Sequence, residues 1–172
     1  TLYDLAFMVE PDWTTESNRI ICFDGASKAS LNADGILTIS EASRADFLRF
    51  FPHYPAERIQ IVHPTNRFTA QSPVRAPELP EFIHSGRYWL AVGTLEPRKN
   101  HARLVEAYDR YRMNAEDPLP LVLIGGQGWL MEDFHRRYAS AGLAEMIHLT
   151  GYVEDDELLW WYRNCFAFIY PS

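Results

Sequence analysis

The second half of the chain alternates short apolar runs with longer segments in which apolar residues recur every three or four positions. The apolar runs predict four buried strands, at 88–93, 121–124, 146–149 and 166–170. The segments between them predict three helices, at 100–114, at 130–141 and after the acidic residues 154–156. Strand and helix therefore alternate, which predicts an α/β fold with a parallel, doubly wound sheet. In such a sheet the ligand crevice lies beyond the carboxyl ends of the strands.

The first half of the chain shows a weaker form of the same pattern. A loosely alternating stretch at 16–32 precedes the segment 33–40, in which a compact strand opens after the turn Asp34-Gly35, so a helix followed by a strand is expected. Ser40 is a favourable N-cap for a helix that reaches about Phe51, and residues 58–62 predict a further strand.

A proline-rich stretch separates the two halves. It carries four prolines, at positions 64, 73, 77 and 80, and it shows little periodicity. This composition is typical of a linker or an interdomain crossing. We therefore predict three parts: the end of one domain at 1–68, a linker at 69–87 and a second domain at 88–172.

Composition and charge limit the possible functions. The 172 residues are 47% hydrophobic, which suffices for the core of one domain or of parts of two. The net charge of −7 argues against electrostatic binding to nucleic acid or to an anionic membrane. No apolar run approaches the roughly 18 residues that span a bilayer, and the first residues do not resemble an export signal. We therefore expect a soluble, cytoplasmic protein in which any anion site is local.

The residue types that bind metals show no ligand pattern. Cys22 and Cys165 lie far apart without zinc-ligand spacing, which favours neither a disulfide framework nor a zinc site. The six histidines also lack such spacing, so surface or capping roles are expected for them. The acidic residues 154–156 could hold a divalent ion or a ribose hydroxyl, but charge complementarity at a helix N-terminus explains them more simply. We therefore predict no metal site.

A candidate anion site follows the first apolar run of the second half. That run ends at Gly93, and it is followed by Arg98 and Lys99 and then by Asn100, a favourable helix N-cap. Two cations at a strand-to-helix turn, together with the positive end of the helix dipole, predict a phosphate or diphosphate ligand. The alternative is that both are solvated surface cations.

Glycines follow three of the predicted strands directly. Gly93, Gly125 and Gly151 each lie at the carboxyl end of an apolar run, so the three loops are expected to converge. Small residues there would let a ligand approach the backbone. The alternative is that each glycine serves only its own tight turn.

A series of short motifs occurs in a characteristic order. The second half contains Val92-Gly-Thr-Leu-Glu-Pro-Arg-Lys-Asn100, Leu123-Ile-Gly-Gly126, Gly151-Tyr-Val-x-x-x-x-Leu158 and Phe168-Ile-Tyr-Pro-Ser172. The first half contains Ala33-Asp-Gly-Ile-Leu-Thr-Ile-Ser-Glu-Ala-Ser43 and Ile59-Gln-Ile-Val-His-Pro64. The series resembles the nucleotide-binding half of glycosyltransferase family 4 enzymes of the GT-B fold. The upstream pair is similar to the end of that family's first, acceptor-side Rossmann-like domain.

The resemblance implies a reaction and its groups. A sugar would pass from a nucleoside diphosphate donor to a saccharide, lipid-linked or other hydroxyl acceptor, with retention of anomeric configuration, as in mannosyltransferases of polysaccharide biosynthesis. No metal or other cofactor would be required. By the same resemblance, Arg98 and Lys99 are the catalytic residues, which hold the diphosphate and offset charge on the leaving group.

The donor pocket also follows from the resemblance. Gly93 and Gly125 would let the backbone approach the donor. Tyr152 and Val153 would flank the nucleobase through backbone hydrogen bonds and apolar contact, and Leu158 would close that pocket.

The sequence also departs from the family pattern. Members continue after the Pro-Ser pair with a Glu-Gly-Phe-Gly-like loop and a second glutamate, whereas the sequence as given stops at Ser172. The glycine-rich opening strand of the first domain is absent as well. The expectation is therefore a glycosyltransferase fragment with little or no transferase activity of its own, and any peripheral membrane contact would be made through the missing regions.

Three alternatives to transfer stay open. The chain could bind nucleotides without catalysis, or it could self-associate through an unfinished sheet edge. A sugar-nucleotide epimerase shares the GT-B architecture, but the run from Glu96 to Asn100 favours transfer.

Overall fold

The computed structural model describes residues 1–140 and 142–172, and it forms two compact units, Thr1–Arg67 and Phe68–Ser172. The division falls within the proline-rich stretch that the sequence indicates as the boundary.

The first unit packs three helices around two short strands. In chain order its elements are α1 (Ala6–Val9), a 3-10 turn (Pro11–Trp13), α2 (Glu16–Asn32), β1 (Ile36–Thr38), α3 (Glu41–Phe50), a 3-10 turn (Ala56–Arg58) and β2 (Ile59–Ile61). The strands are parallel, with Ile36 opposite Ile59. Phe47 is at the centre of the core, where it contacts the rings of Phe51 and Tyr54.

Local signals predict much of this unit. The hydroxyl of Ser40 accepts a hydrogen bond from the N–H of Ser43 at 3.1 Å, which confirms the predicted cap of α3. The strand predicted after the Asp34-Gly35 turn is present as β1, which covers three residues. The helix predicted before that turn is α2, and the N–H of Ala33 bonds to the carbonyl of Ala29 at its end.

The second unit is a four-stranded parallel sheet with helices on both faces. In chain order its elements are β3 (Trp89–Val92), a 3-10 turn (Pro97–Lys99), α4 (His101–Asn114), β4 (Leu121–Ile124), α5 (Glu132–Ser140), a 3-10 turn (Leu143–Glu145), β5 (Ile147–Gly151), α6 (Asp155–Asn164) and β6 (Ala167–Phe168). The spatial order is β5-β4-β3-β6. The predicted parallel, doubly wound sheet is confirmed, and α5 begins two residues later than predicted. The predicted helix end at 141 lies outside the described residues.

The two central strands, β3 and β4, are covered on both faces, which explains their continuous apolar runs. On one face, residues of α4 and α5 pack against side chains of β3 and β4: Leu104, Val105, Phe134, Ala91, Leu121 and Leu123. On the other face, residues of α6 pack against the alternate positions of the same strands: Leu158, Trp161, Leu90, Val122 and Ile124.

The segment predicted as a linker packs against the α6 face of the second unit. Ile83 is fully buried there, and Phe82 is partly buried beside it. Arg75 pairs with Asp156 and Glu157 in the first turn of α6, at 3.1 Å from each carboxylate. The segment has no regular secondary structure, and its role as an interdomain linker stays a prediction.

Candidate functional site

The order of the sheet places a crevice at the carboxyl end of β3. β3 is central because it pairs with β4 on one side and with β6 on the other. From β3 the chain adds β4 and β5 on one side and then crosses back to place β6 on the other side. That reversal is where open α/β sheets bind ligands. The loops after β3, β4 and β6 therefore border the candidate site.

Three glycines meet at this edge. The N–H of Gly93 donates to the carbonyl of Ile124 at 2.8 Å, and the N–H of Gly125 donates to the carbonyl of Gly151 at 2.9 Å. Gly93 and Gly125 have φ angles of 151° and 153°, which L side chains rarely adopt. The predicted convergence of the three loops is therefore present in the structure.

Close packing of backbone explains two glycines of the loop after β4. A Cβ on Gly125 would lie 2.1 Å from the carbonyl oxygen of Gly93, and a Cβ on Gly128 would lie 2.4 Å from that of Leu95. The loops after β3 and β4 run side by side, and the N–H of Leu95 donates to the carbonyl of Gly126 at 3.0 Å. Glycine at 125 is thus required by the fold, with or without a ligand.

Lys99 lies over the end of β3. Its methylene groups pass Gly93 so closely that a Cβ there would be 3.5 Å from two of them. The Lys99 ammonium donates a hydrogen bond of 2.5 Å to the hydroxyl of Tyr170, and it lies 4.8 Å from the centroid of that ring. One of the two predicted cations is therefore at the crevice, beside the loop that follows β6.

Arg98 has an acidic partner that the sequence analysis did not identify. Its guanidinium lies 2.8 Å from the carboxylate of Glu96, whose side chain is only 6% exposed, against 35% for Arg98. A buried carboxylate next to arginine offsets much of the arginine's charge. The sequence does contain this glutamate two residues before the arginine, but the spacing alone does not show that a turn brings the two side chains together.

The predicted capping role of Asn100 is wrong. Asn100 does precede α4, but its backbone is left-handed with φ 59°, and its side chain accepts no hydrogen bond from the helix N-terminus. Its amide instead donates to the carbonyl of Pro171 at 3.2 Å. The side chain that local sequence predicts as a helix cap is thus used for a contact with a residue 71 positions further along the chain.

His101 is buried, contrary to the surface or capping role expected for the histidines. It is 5% exposed, and within the part of the chain that the structure describes its Nδ1 has no hydrogen-bond partner. Burial, with a smaller contribution from the charge of Lys99, lowers the pKa of His101 to about 4. The ring is therefore neutral at pH 7.

The three predicted nucleobase residues lie in different environments. Tyr152 follows β5 and is 74% exposed. Val153 is partly buried against the core on the α6 face, and Leu158 is buried within that core. Tyr152 thus has a free surface near the crevice, whereas Leu158 packs under the sheet.

The acidic residues at the start of α6 have structural partners. The hydrogen bond from Arg75 is the main cause that lowers the pKa of Asp156, and a carboxylate oxygen of Asp156 accepts the N–H of Glu157 at 2.7 Å. These contacts support the interpretation as helix N-terminal acids. Among the described residues, no group of three potential ligands could hold a metal ion.

Comparison with known proteins identifies similar sequences. Residues 80–172 match the family described as glycosyl transferases group 1. O-antigen chain mannosyltransferase B of Escherichia coli is 32% identical over 178 residues, which cover 100% of this chain and 46% of that protein. Serotype-specific mannosyltransferase WbdA of E. coli is 31% identical over 142 residues, which cover 81% of this chain and 15% of that protein. The chain thus spans less than half the length of these relatives.

Solved structures share the fold. Anabaena HepE, crystallised with UDP and glucose, superposes with a TM-score of 0.68 at 17% identity, over 99% of this chain and 45% of that one. A glycosyltransferase from Rickettsia africae gives a TM-score of 0.58 at 14% identity, over 87% and 41% of the two chains. These likenesses confirm the predicted fold class, part of a GT-B architecture with parallel Rossmann-like sheets. Among the described residues, no helix is long and apolar enough to cross a membrane.

Proposed function

The chain belongs to the glycosyl transferases group 1 family, and from that premise we propose that it forms part of a retaining family 4 glycosyltransferase. The sugar donor is a nucleoside diphosphate sugar, and the acceptor is a hydroxyl group of a saccharide or lipid-linked molecule. Mannose is the proposed sugar, because both E. coli relatives are named mannosyltransferases. Its proposed place of action is the cytoplasm.

The position of Lys99 is the observation that carries this proposal. Its side chain crosses Gly93 at the carboxyl end of the central strand and reaches the loop after β6. A cation at this crevice suits the diphosphate of a nucleotide sugar. The absence of a side chain at Gly93 would let the phosphates come close to the backbone, as small residues do in other phosphate-binding loops.

The two cations contribute unequally in this proposal. Glu96 offsets the charge of Arg98, whereas the hydrogen-bond partner of Lys99 is the neutral hydroxyl of Tyr170. Lys99 therefore supplies most of the attraction for the donor. As the bond to the sugar breaks, negative charge grows on the leaving diphosphate, and a fixed cation stabilises that transition state more than the bound donor. Arg98, which is partly exposed, contributes at the edge.

The remaining donor contacts are assigned by position. Tyr152, on the loop after β5, and the adjacent Val153 would contact the nucleobase. Leu158 would support Val153 from the core beneath it, since both belong to the same packed cluster. We propose that transfer needs no metal, because cationic side chains take the place of a divalent ion beside the phosphates.

The 172-residue chain by itself is proposed to bind the donor without transferring sugar. It corresponds to 46% of the mannosyltransferase B length, and transfer requires donor and acceptor to be positioned together. Isothermal titration calorimetry with UDP and GDP tests the donor site. We expect binding to one of them, and the absence of heat at millimolar nucleotide contradicts the proposal. Release of nucleoside diphosphate from a nucleotide sugar, with matching acceptor glycosylation, contradicts the lack of transfer.

Self-association is a second candidate property of this chain. The exposed side of α2 carries large apolar residues, including Ile20, Ile21 and Leu31, while its other side packs on the core of the first unit. A helix that is apolar on both sides is normally covered on both. A second copy of the chain is the occupant that we propose for the isolated chain.

A further inference from the structure

We propose that Tyr170 is a positioning residue that holds the Lys99 ammonium at the carboxyl end of β3, ready to meet the diphosphate. The inference rests on the proposed function and adds a residue to the same site. Three observations support it: Tyr170 contacts Lys99, hydrogen bonds on both sides hold Tyr170 in place, and the neutral Tyr170 hydroxyl leaves the charge of Lys99 available.

Two surfaces confine the Lys99 side chain. Its methylene groups lie against Gly93, where no side chain separates them from the backbone, and its ammonium bonds the Tyr170 hydroxyl at 2.5 Å. A lysine has four rotatable bonds and loses much freedom when it is ordered. Here the ordering precedes ligand binding. The ammonium can donate three hydrogen bonds. One goes to Tyr170, which leaves two for an anion.

Tyr170 is held in place by hydrogen bonds on both sides of it. The N–H of Ile169 donates to the carbonyl of Leu90 at 2.7 Å, which ties the segment to β3. On the other side, Pro171 accepts from the amide of Asn100, and the Ser172 hydroxyl donates to the carbonyl of Arg98 at 3.2 Å. The loop after β6 is thus joined to both neighbours of Lys99, so the hydroxyl is presented at a defined point.

The chemistry of the tyrosine suits this role. A carboxylate at position 170 would cancel the charge of Lys99, as Glu96 offsets that of Arg98, whereas a neutral hydroxyl orients the ammonium and leaves its charge available. The two groups are electrostatically linked, because the hydrogen bond from Lys99 lowers the pKa of Tyr170, with smaller contributions from Ser172 and from the charge of Arg98. An anion bound to Lys99 must therefore raise the pKa of Tyr170.

The first test compares pyrophosphate binding to the wild-type chain and to Tyr170→Phe by calorimetry. The substitution keeps the ring and removes the hydroxyl, so we expect affinity to fall by about three- to tenfold, the range for one lost hydrogen bond. Tyr138→Phe is the matched control, because the Tyr138 hydroxyl makes no hydrogen bond to any residue in the described ranges. Equal or tighter binding by Tyr170→Phe overturns the inference.

The second test measures the titration of the Tyr170 hydroxyl directly. The chain has nine tyrosines, and the wild-type minus Tyr170→Phe difference in tyrosinate absorption isolates the titration of one. We expect a midpoint below the ordinary pKa of about 10, a rise in that midpoint when pyrophosphate is added, and loss of the lowering in Lys99→Met. A midpoint that pyrophosphate does not move overturns the inference.

The two proposals can fail separately. If the wild-type chain binds none of UDP, GDP and pyrophosphate, the proposed donor site is contradicted. If the wild-type chain binds and Tyr170→Phe behaves as wild type, only the proposed role of Tyr170 is contradicted.

Discussion

The backbone of Gly125 lies so close to Gly93 that a methyl group on residue 125 would come within 2.1 Å of the Gly93 carbonyl oxygen. The two residues end neighbouring strands, and the N–H of Gly93 is already bonded to the residue before Gly125. At this point the edge of the sheet where the donor is proposed to bind is closely packed backbone, and sterics exclude a side chain at position 125.

Gly125→Ala is expected to lower the free energy of unfolding by about 3 kcal/mol, because it adds both a clash and a φ that alanine disfavours. Urea denaturation followed by circular dichroism measures the change. Gly126→Ala is the matched control, since nothing lies within 4 Å of a Cβ at that position and its φ is not positive. We expect the control to stay within about 1 kcal/mol of wild type. Equal stability of the two variants contradicts the steric interpretation.

Lys99→Ala is expected to weaken binding of UDP or GDP by about tenfold to a hundredfold, the range for a lost hydrogen bond to a charged group. Calorimetry at constant ionic strength measures it. Arg87→Ala removes the same charge at the amino end of β3, where Arg87 pairs with Asp117, and it should leave affinity unchanged. A similar loss in both variants indicates a long-range charge effect in place of a local contact.

Glu96→Gln is expected to strengthen nucleotide binding by about threefold, because Arg98 loses the carboxylate that offsets its charge. The same titration measures the change, with urea denaturation to check that the turn stays folded. Asp117→Asn removes the acidic partner of Arg87 in the same way, far from the crevice, and serves as the control. Unchanged or weaker binding by Glu96→Gln shows that Arg98 does not reach the ligand.

The burial of His101 predicts a pH dependence of stability. Its pKa is about 4 in the folded chain and about 6.5 when unfolded, so the unfolded state binds more protons between these values. His101 therefore makes its full contribution to the free energy of unfolding above pH 6.5. That contribution, about 3 kcal/mol in total, is lost as the pH falls toward 4. Urea denaturation across this range should show the wild type losing stability relative to His101→Gln. Parallel profiles of the two chains contradict the assigned burial.

Ile21→Lys on the exposed side of α2 is expected to shift the isolated chain toward monomer, because it introduces a charge into an apolar contact surface. Light scattering coupled to size-exclusion chromatography measures the mass. Met113→Lys, at an exposed position of α4 in the second unit, is the control and should leave the mass unchanged. A wild-type chain that is monomeric at all concentrations rules out self-association.

Much of the secondary structure of both units follows from local sequence. Leu121–Ile124 is a short apolar run closed by glycine, and it is a strand buried on both faces because such a run suits a parallel sheet between two helix layers. Ser40 caps α3 because the acceptor and the donor lie three residues apart. Features whose partners lie within a few residues, or whose burial follows a simple period, were predictable for this reason.

The sequence by itself determined the order of strands and helices, the glycines at the strand ends and the presence of two cations after β3. Only the tertiary structure decided how those cations differ: Arg98 is paired with a buried glutamate, and Lys99 is held by Tyr170, 71 residues away. The Asn100 side chain likewise bonds to Pro171, a residue distant in sequence, and does not cap α4. Pairing of β6 with β3 brings residues 170–172 into contact with residues 98–100. No periodicity or spacing within either segment encodes that contact.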